Sequence, residues 1–73
     1  MSFAKRLKAT RKAAGLSQET ISGLCEISRR AWSKYESGQW MPKLDKLVKI
    51  ADHLAVSTDF LLGRTEEHKN INV

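Results

Sequence analysis

Residues 28–40 read SRRAWSKYESGQW, and the spacing within this stretch decides the fold. Ser28 is a residue type that starts helices, because its hydroxyl can accept from a backbone N–H left unpaired in the first turn. Gly38 is a residue type that stops them. Between the two, at 3.6 residues per turn, Arg29, Arg30, Ser33 and Lys34 fall on one side, and Trp32 and Tyr35 fall on the other. The spacing predicts a short helix with a cationic, hydrogen-bonding front and an apolar back. Such a front complements a wall of negative charge with base edges behind it, as in the major groove of DNA.

Working outward, the chain has 73 residues, room for one domain and not two. A domain this small has a limited core, so short, compact, mostly helical elements are expected. Apolar residues make up 41%, which suits a globular fold, and the formal net charge of +5 suits a polyanionic partner or a soluble surface equally well. No apolar run approaches a membrane span, and the charged start MSFAKRLKAT lacks the apolar core of a secretion signal. Cys25 is the single cysteine, so no intrachain disulfide forms. That fits a reducing compartment, and a cytoplasmic location is expected. There is no internal repeat and no low-complexity segment.

Four further helices are marked by their stops. The first is predicted over 2–14, before Gly15, with Phe3, Leu7, Thr10, Arg11 and Ala14 as its inward stripe. Lys5, Arg6, Lys8 and Lys12 fall mainly outside that stripe. The second starts at the N-cap type Ser17, with Ile21, Leu24 and Cys25 as its apolar positions. Glu26 and Ile27 then form a tight break before Ser28. Residues 39–43 form a loop carrying Pro42. The helix over 43–53 follows Leu44, Leu47, Val48, Ala51 and Leu54, and a last short helix opens at Ser57 and closes at Gly63. A domain over 1–65 and a polar, frayed tail over 66–73 are expected. No strand is predicted.

Two short helices around a tight break are the helix-turn-helix unit, here over 18–36. The segment LSQETISGLCEISRRAWSKYESGQWMP resembles the phage repressor and Cro-type family, often called the XRE family. The matching features are Leu16-Ser17-Gln18-Glu19, apolar Ile21, Cys25 and Ile27, Ser28-Arg29, Trp32, Tyr35-Glu36, Gly38 and Pro42. KLDKLVKIADHLAVSTDFLLGRT is similar to the family's last two helices. The resemblance implies an all-α, five-helix, lambda-repressor-like domain that binds double-stranded DNA and regulates transcription, most often by repression. Two positions depart from the family pattern. Ser22 stands where a small alanine is usual, and Glu26 stands where the turn has glycine. A left-handed residue other than glycine costs roughly 1 kcal/mol, so Glu26 is expected at positive φ and Glu26→Gly is expected to stabilise.

The resemblance also implies roles for residues. Arg29, Arg30, Ser33 and Lys34 lie at or near the base-reading positions. Adjacent Arg29 and Arg30 diverge by about 100° around the helix, so one can read bases while the other holds phosphate. Gln18 and its backbone, with Ser17 beside it, lie at a phosphate-gripping helix start, where a glutamine can also brace a side chain of the reading helix. Ser28 belongs to the same phosphate-facing set. Ser37, Gly38 and Gln39 lie at the second backbone clamp, although Gly38 serves equally as a helix stop. Arg11 and Glu36 are implied to form a buried or half-buried ion pair. Trp32 and Tyr35 read as core, sharing the inward face with Ile21, Cys25 and Ile27. Trp40, in the loop, suits sugar–phosphate packing, a dimer contact or a cover over the core.

One short helix reads only a few base pairs, so a homodimer on two half-sites is expected. Met41, Thr58, Asp59 and Leu62 are its candidate contacts, together with residues 71–73. Other classes find little support. Asp52 and His53 are adjacent and point apart, so they form no relay. Two histidines and one cysteine far apart give no metal-ligand spacing. No glycine loop for phosphate is present. No enzyme activity, cofactor, metal, membrane partner or small-molecule inducer is expected. The competing reading is a protein-interaction module, such as an antitoxin or an anti-repressor partner, whose basic face binds an acidic protein.

Overall fold

The computed structural model describes residues 2–69. Five helices follow in order: α1 (Phe3–Ala13), α2 (Gln18–Leu24), α3 (Arg29–Ser37), α4 (Leu44–Leu54) and α5 (Thr58–Leu61). No strand occurs among the described residues. Four helices start on a serine whose hydroxyl accepts from the backbone N–H three residues on: Ser2 from Lys5, Ser17 from Thr20, Ser28 from Ala31 and Ser57 from Phe60. Each cap satisfies a donor that the helix itself leaves unpaired. Gly38 ends α3 at φ +82°, a left-handed conformation that costs glycine nothing.

α3 is the centre of the bundle. α1 and α2 both pack on it, α4 packs on α2, and α5 bridges α4 and α1. Leu7, Ile21, Cys25, Trp32, Ile50 and Leu61 are fully buried where these helices meet, with Ile27, Tyr35, Leu47, Ala51, Leu54 and Val56 around them. Burial pushes the Cys25 thiol up to about 11, against the pull of Lys49 and Lys46, so it packs as a small apolar group. Ser22 is also buried, and its hydroxyl donates to the Glu19 carbonyl at 3.1 Å. The polar substitution for alanine is thereby satisfied inside its own helix.

Several inward positions differ from the sequence reading. In α4 the buried face is Leu47, Ile50, Ala51 and Leu54, whereas Leu44 and Val48 are exposed. Leu24 of α2 and Ala14 after α1 are exposed too. Arg6, placed outside the stripe of α1, is buried. Its guanidinium donates to the Thr65 carbonyl at 3.0 Å and to Glu66 at 2.7 Å, and lies 4.4 Å from the centre of the Phe60 ring. Phe60 in turn meets the His68 ring at 4.1 Å, and the Ser57 N–H donates to the His68 carbonyl at 2.8 Å. The described part of the segment after Thr65 therefore packs on α1 and α5 rather than fraying away. Its partners on α1 lie about sixty positions distant in sequence, beyond the reach of any local pattern.

Glu26 adopts φ +57°, as the turn requires, and Ala55, which ends α4, has the same value. Both residues are exposed. Ala55→Gly removes only a methyl group, so it is expected to stabilise by roughly 1 kcal/mol. Glu26→Gly relieves the same strain but loses the exposed ion pair to Lys49, which contributes little. Lys46 would still donate to the main-chain carbonyl of residue 26. Both variants should therefore melt higher than the parent in thermal unfolding followed by circular dichroism. A lower-melting Ala55→Gly would show that the left-handed turn carries no strain.

Candidate nucleic-acid interface

The buried back of α3 sets the position of its front. Trp32 is fully buried and Tyr35 nearly so, while Arg29, Arg30 and Ser33 are exposed and Lys34 is half-buried. Rotation of α3 would expose an indole, so the direction of the polar face is fixed by packing.

A chain of hydrogen bonds runs from the core to that face. The Glu36 side chain is only 4% exposed. It accepts from Arg11 Nε at 2.7 Å and Nη2 at 3.2 Å, from Gln18 Nε2 at 3.0 Å and from Trp32 Nε1 at 2.6 Å. Arg11 also donates to the Leu16 carbonyl at 2.9 Å, which ties α1 to the start of α2. Burial by itself would raise the Glu36 pKa. The hydrogen bonds from Arg11, Gln18 and Trp32, with the charge of Arg11, outweigh it and hold the group below the ordinary carboxylate value. Gln18 passes the chain outward, because its Oε1 accepts from Arg29 Nε and from Ser33 Oγ, both at 3.1 Å.

The remaining polar residues divide into two groups. The Arg30 side chain is exposed, with no hydrogen bond or ion pair to another described residue. Lys34 turns toward the end of α3, where its Nζ donates to Gln39 Oε1 at 2.9 Å and lies 6.0 Å from the centre of the Trp40 ring. The Gln39 and Trp40 N–H groups both donate to the Lys34 carbonyl, and Ser37 Oγ donates there as well. Lys34, Ser37, Gly38, Gln39 and Trp40 thus form one cluster at the exit of α3. Ser17 and Ser28 cap the starts of α2 and α3. No local sequence pattern marks the double duty of Gln18, between a buried carboxylate and two exposed donors. The spacing Gln18, Arg29, Ser33, Glu36 carries it only once α2 and α3 are packed.

Of the positions expected to meet a partner copy, Met41 and Leu62 are exposed, Thr58 is half-buried, and Asp59 lies 3.7 Å from Arg64. Residues 71–73 lie outside the described residues. No group of three metal-ligating side chains occurs among the described residues, and none of their helices is long and apolar enough to cross a membrane.

A family model described as a helix-turn-helix domain matches residues 2–61, from the cap of α1 to the end of α5. The chain belongs to this helix-turn-helix family. Among its relatives is the SPbeta prophage-derived HTH-type transcriptional regulator YonR of Bacillus subtilis, 43% identical over 63 residues, or 86% of this chain and 58% of YonR. Another is the cryptic phage CTXphi transcriptional repressor RstR of Vibrio cholerae, 40% identical over 73 residues, or 97% of this chain and 65% of RstR. The chain therefore spans about six-tenths of these two relatives. Among solved structures, the P22 c2 repressor bound to a synthetic operator superposes with a TM-score of 0.84 at 25% identity, covering 89% of this chain and 98% of that one. This helix-turn-helix domain thus keeps the repressor fold, with the five-helix order and the polar face of α3 described above.

Proposed function

We infer that this chain binds double-stranded DNA sequence-specifically and regulates transcription as a repressor, occupying an operator as a homodimer. The observation that carries this reading is the outward face of α3, with two guanidinium groups, a hydroxyl and an ammonium on a helix anchored by buried aromatics. The superposition on an operator-bound repressor supports it. Arg29, Arg30 and Ser33 would meet base edges in the major groove, with Lys34 at the margin. Ser17, Gln18 and Ser28 would hold phosphate at the helix starts, and Ser37, Gly38 and Gln39 would hold it at the exit of α3. The apolar exposure of Met41 and Leu62 supports their place in the dimer contact. The domain acts by binding rather than by enzyme activity, and its place is the cytoplasm.

Duplex binding measured across salt tests this reading. A log–log slope of several units is expected, since each phosphate neutralised contributes about −0.9. A near-flat response would replace it with the protein-interaction reading. Arg29→Ala and Arg30→Ala, compared on a panel of duplexes, then assign the two arginines. A base reader loses discrimination at one position, worth about 1–3 kcal/mol, whereas a phosphate holder weakens all sequences alike.

A further inference from the structure

We propose that Gln18 sets the donor–acceptor polarity of the reading face: Arg29 reads a guanine with its two Nη groups, and Ser33 reads a neighbouring base only as an acceptor. This rests on the DNA-reading role just argued and specifies what that face recognises.

The argument starts at Glu36. A carboxylate only accepts, and this one is buried against the Arg11 guanidinium with two contacts. The Gln18 amide must therefore turn its nitrogen to Glu36, because the opposite orientation would set Oε1 against a carboxylate oxygen at 3.0 Å. Oε1 then faces the surface. It carries two lone pairs, and two donors fill them, Arg29 Nε and Ser33 Oγ. The choice between amide orientations, usually open to assignment, is decided here by the chemistry of a buried anion.

Both donors leave a defined remainder. With Nε committed, Arg29 keeps Nη1 and Nη2, a planar fork that matches guanine O6 and N7 end-on. Ser33 has one hydroxyl hydrogen, and Gln18 takes it. Its lone pairs remain, and in the major groove only cytosine N4 and adenine N6 can donate to them. Arg29 and Ser33 are one helical turn apart, about 6 Å along the axis. That spans about two base-pair steps of 3.4 Å. The half-site should thus contain a guanine and, within about two steps, a position holding adenine or cytosine on one fixed strand but not guanine or thymine. Gln18 is a positioning residue in this scheme. It touches no base, yet it decides which hydrogen-bonding groups face one.

The test is selection of bound duplexes from a random pool with the 73-residue chain, its Gln18→Met variant and its Ser33→Ala variant. The parent should select the guanine and the adenine-or-cytosine position. Gln18→Met frees the Arg29 side chain, so guanine preference should fall at least about fivefold, the lower end of what a bidentate pair discriminates. It also frees the Ser33 hydroxyl to donate, so the second position should open to all four bases. A mere loss of stability would weaken binding without redrawing the matrix in this way. Ser33→Ala, at an exposed position, should erase the second preference and keep the guanine. Selection by Gln18→Met of the parental matrix, or a parental second position rich in guanine or thymine, overturns the proposal. A Ser33→Ala protein with the parental matrix overturns it as well. A parent with no salt-dependent duplex binding removes the DNA-reading role itself, and this inference with it.

Discussion

Glu36→Ala should lower the melting temperature of this domain by at least about 12 °C. Removing one partner of a buried ion pair costs roughly 3–5 kcal/mol, because the other charge stays buried and uncompensated. In a domain of 60–100 residues each kcal/mol shifts the melting point by about 4–8 °C. Here the orphan is Arg11, which would keep only the Leu16 carbonyl, while the Trp32 N–H and the Gln18 amide lose their shared acceptor. The loss is large against the whole. At about 0.05–0.15 kcal/mol per residue, a chain of 73 residues has roughly 4–11 kcal/mol of stability in total. Arg11→Ala should cost a similar amount, and the double variant much less than the sum of the two. A double-mutant cycle with no coupling energy would show that the pair is two independent groups.

The same carboxylate predicts the response to acid. Its folded pKa lies below the ordinary value of 4.5, so the folded state holds the proton less tightly than the unfolded chain. Its contribution is therefore complete above about pH 4.5 and is lost as pH falls through the folded value. Glu26 and Glu66, held down by Lys49 and Arg6, add to acid sensitivity in the same direction. The part that belongs to Glu36 is the difference between parent and Glu36→Gln, which should shrink as the pH is lowered below 4.5. A difference that stays constant down to acid unfolding would mean that Glu36 has the same pKa folded and unfolded, so that its partners do not hold it down.

The exposed cationic face of α3 was legible in the sequence because its signals are local. Ser28 and Gly38 bound α3, and a period of 3.6 separates its aromatics from its cations within nine residues. The left-handed turn came from the resemblance, which puts a glycine where Glu26 stands, and Glu26 indeed adopts φ +57°. What was not legible depends on neighbours. In α4 the expected set Leu44, Leu47, Val48, Ala51, Leu54 and the buried set Leu47, Ile50, Ala51, Leu54 share three positions, and both fit the helical period. Only the placement of α2 and α5 picks the second. Arg6 reads as a surface cation until Phe60, Thr65 and Glu66 come to cover it. Ala55 carries no mark of its positive φ, because the usual glycine is missing. Gln18 is the instructive case at the site. Its residue type fits a helix start, a phosphate contact or a brace, and the buried anion behind it reveals which way its amide faces.

Trp32→Ala should be about as costly as loss of the ion pair, for a different reason. The indole is fully buried in the core that α3 shares with its neighbours, and truncating a buried aromatic to alanine typically costs about 3–5 kcal/mol in lost transfer energy and cavity. The indole also anchors the back of α3, so the cavity loosens the element whose orientation the cationic face depends on. Trp32→Phe separates volume from hydrogen bonding. It keeps an aromatic ring in the site but removes the Nε1 donor 2.6 Å from Glu36, a bond to a charged acceptor worth about 1.5–3 kcal/mol. The expected order of stability is parent, then Trp32→Phe, then Trp32→Ala. Urea unfolding followed by far-ultraviolet circular dichroism gives the midpoints. A Trp40→Phe background leaves Trp32 as the sole indole, so its fluorescence reports the same transition from inside the core. Trp32→Phe matching the parent would confine the role of Trp32 to packing. Trp32→Ala within about 1 kcal/mol of the parent would place the cost below the usual range for a buried aromatic. The cationic face would then lack the rigid support that a buried indole gives it.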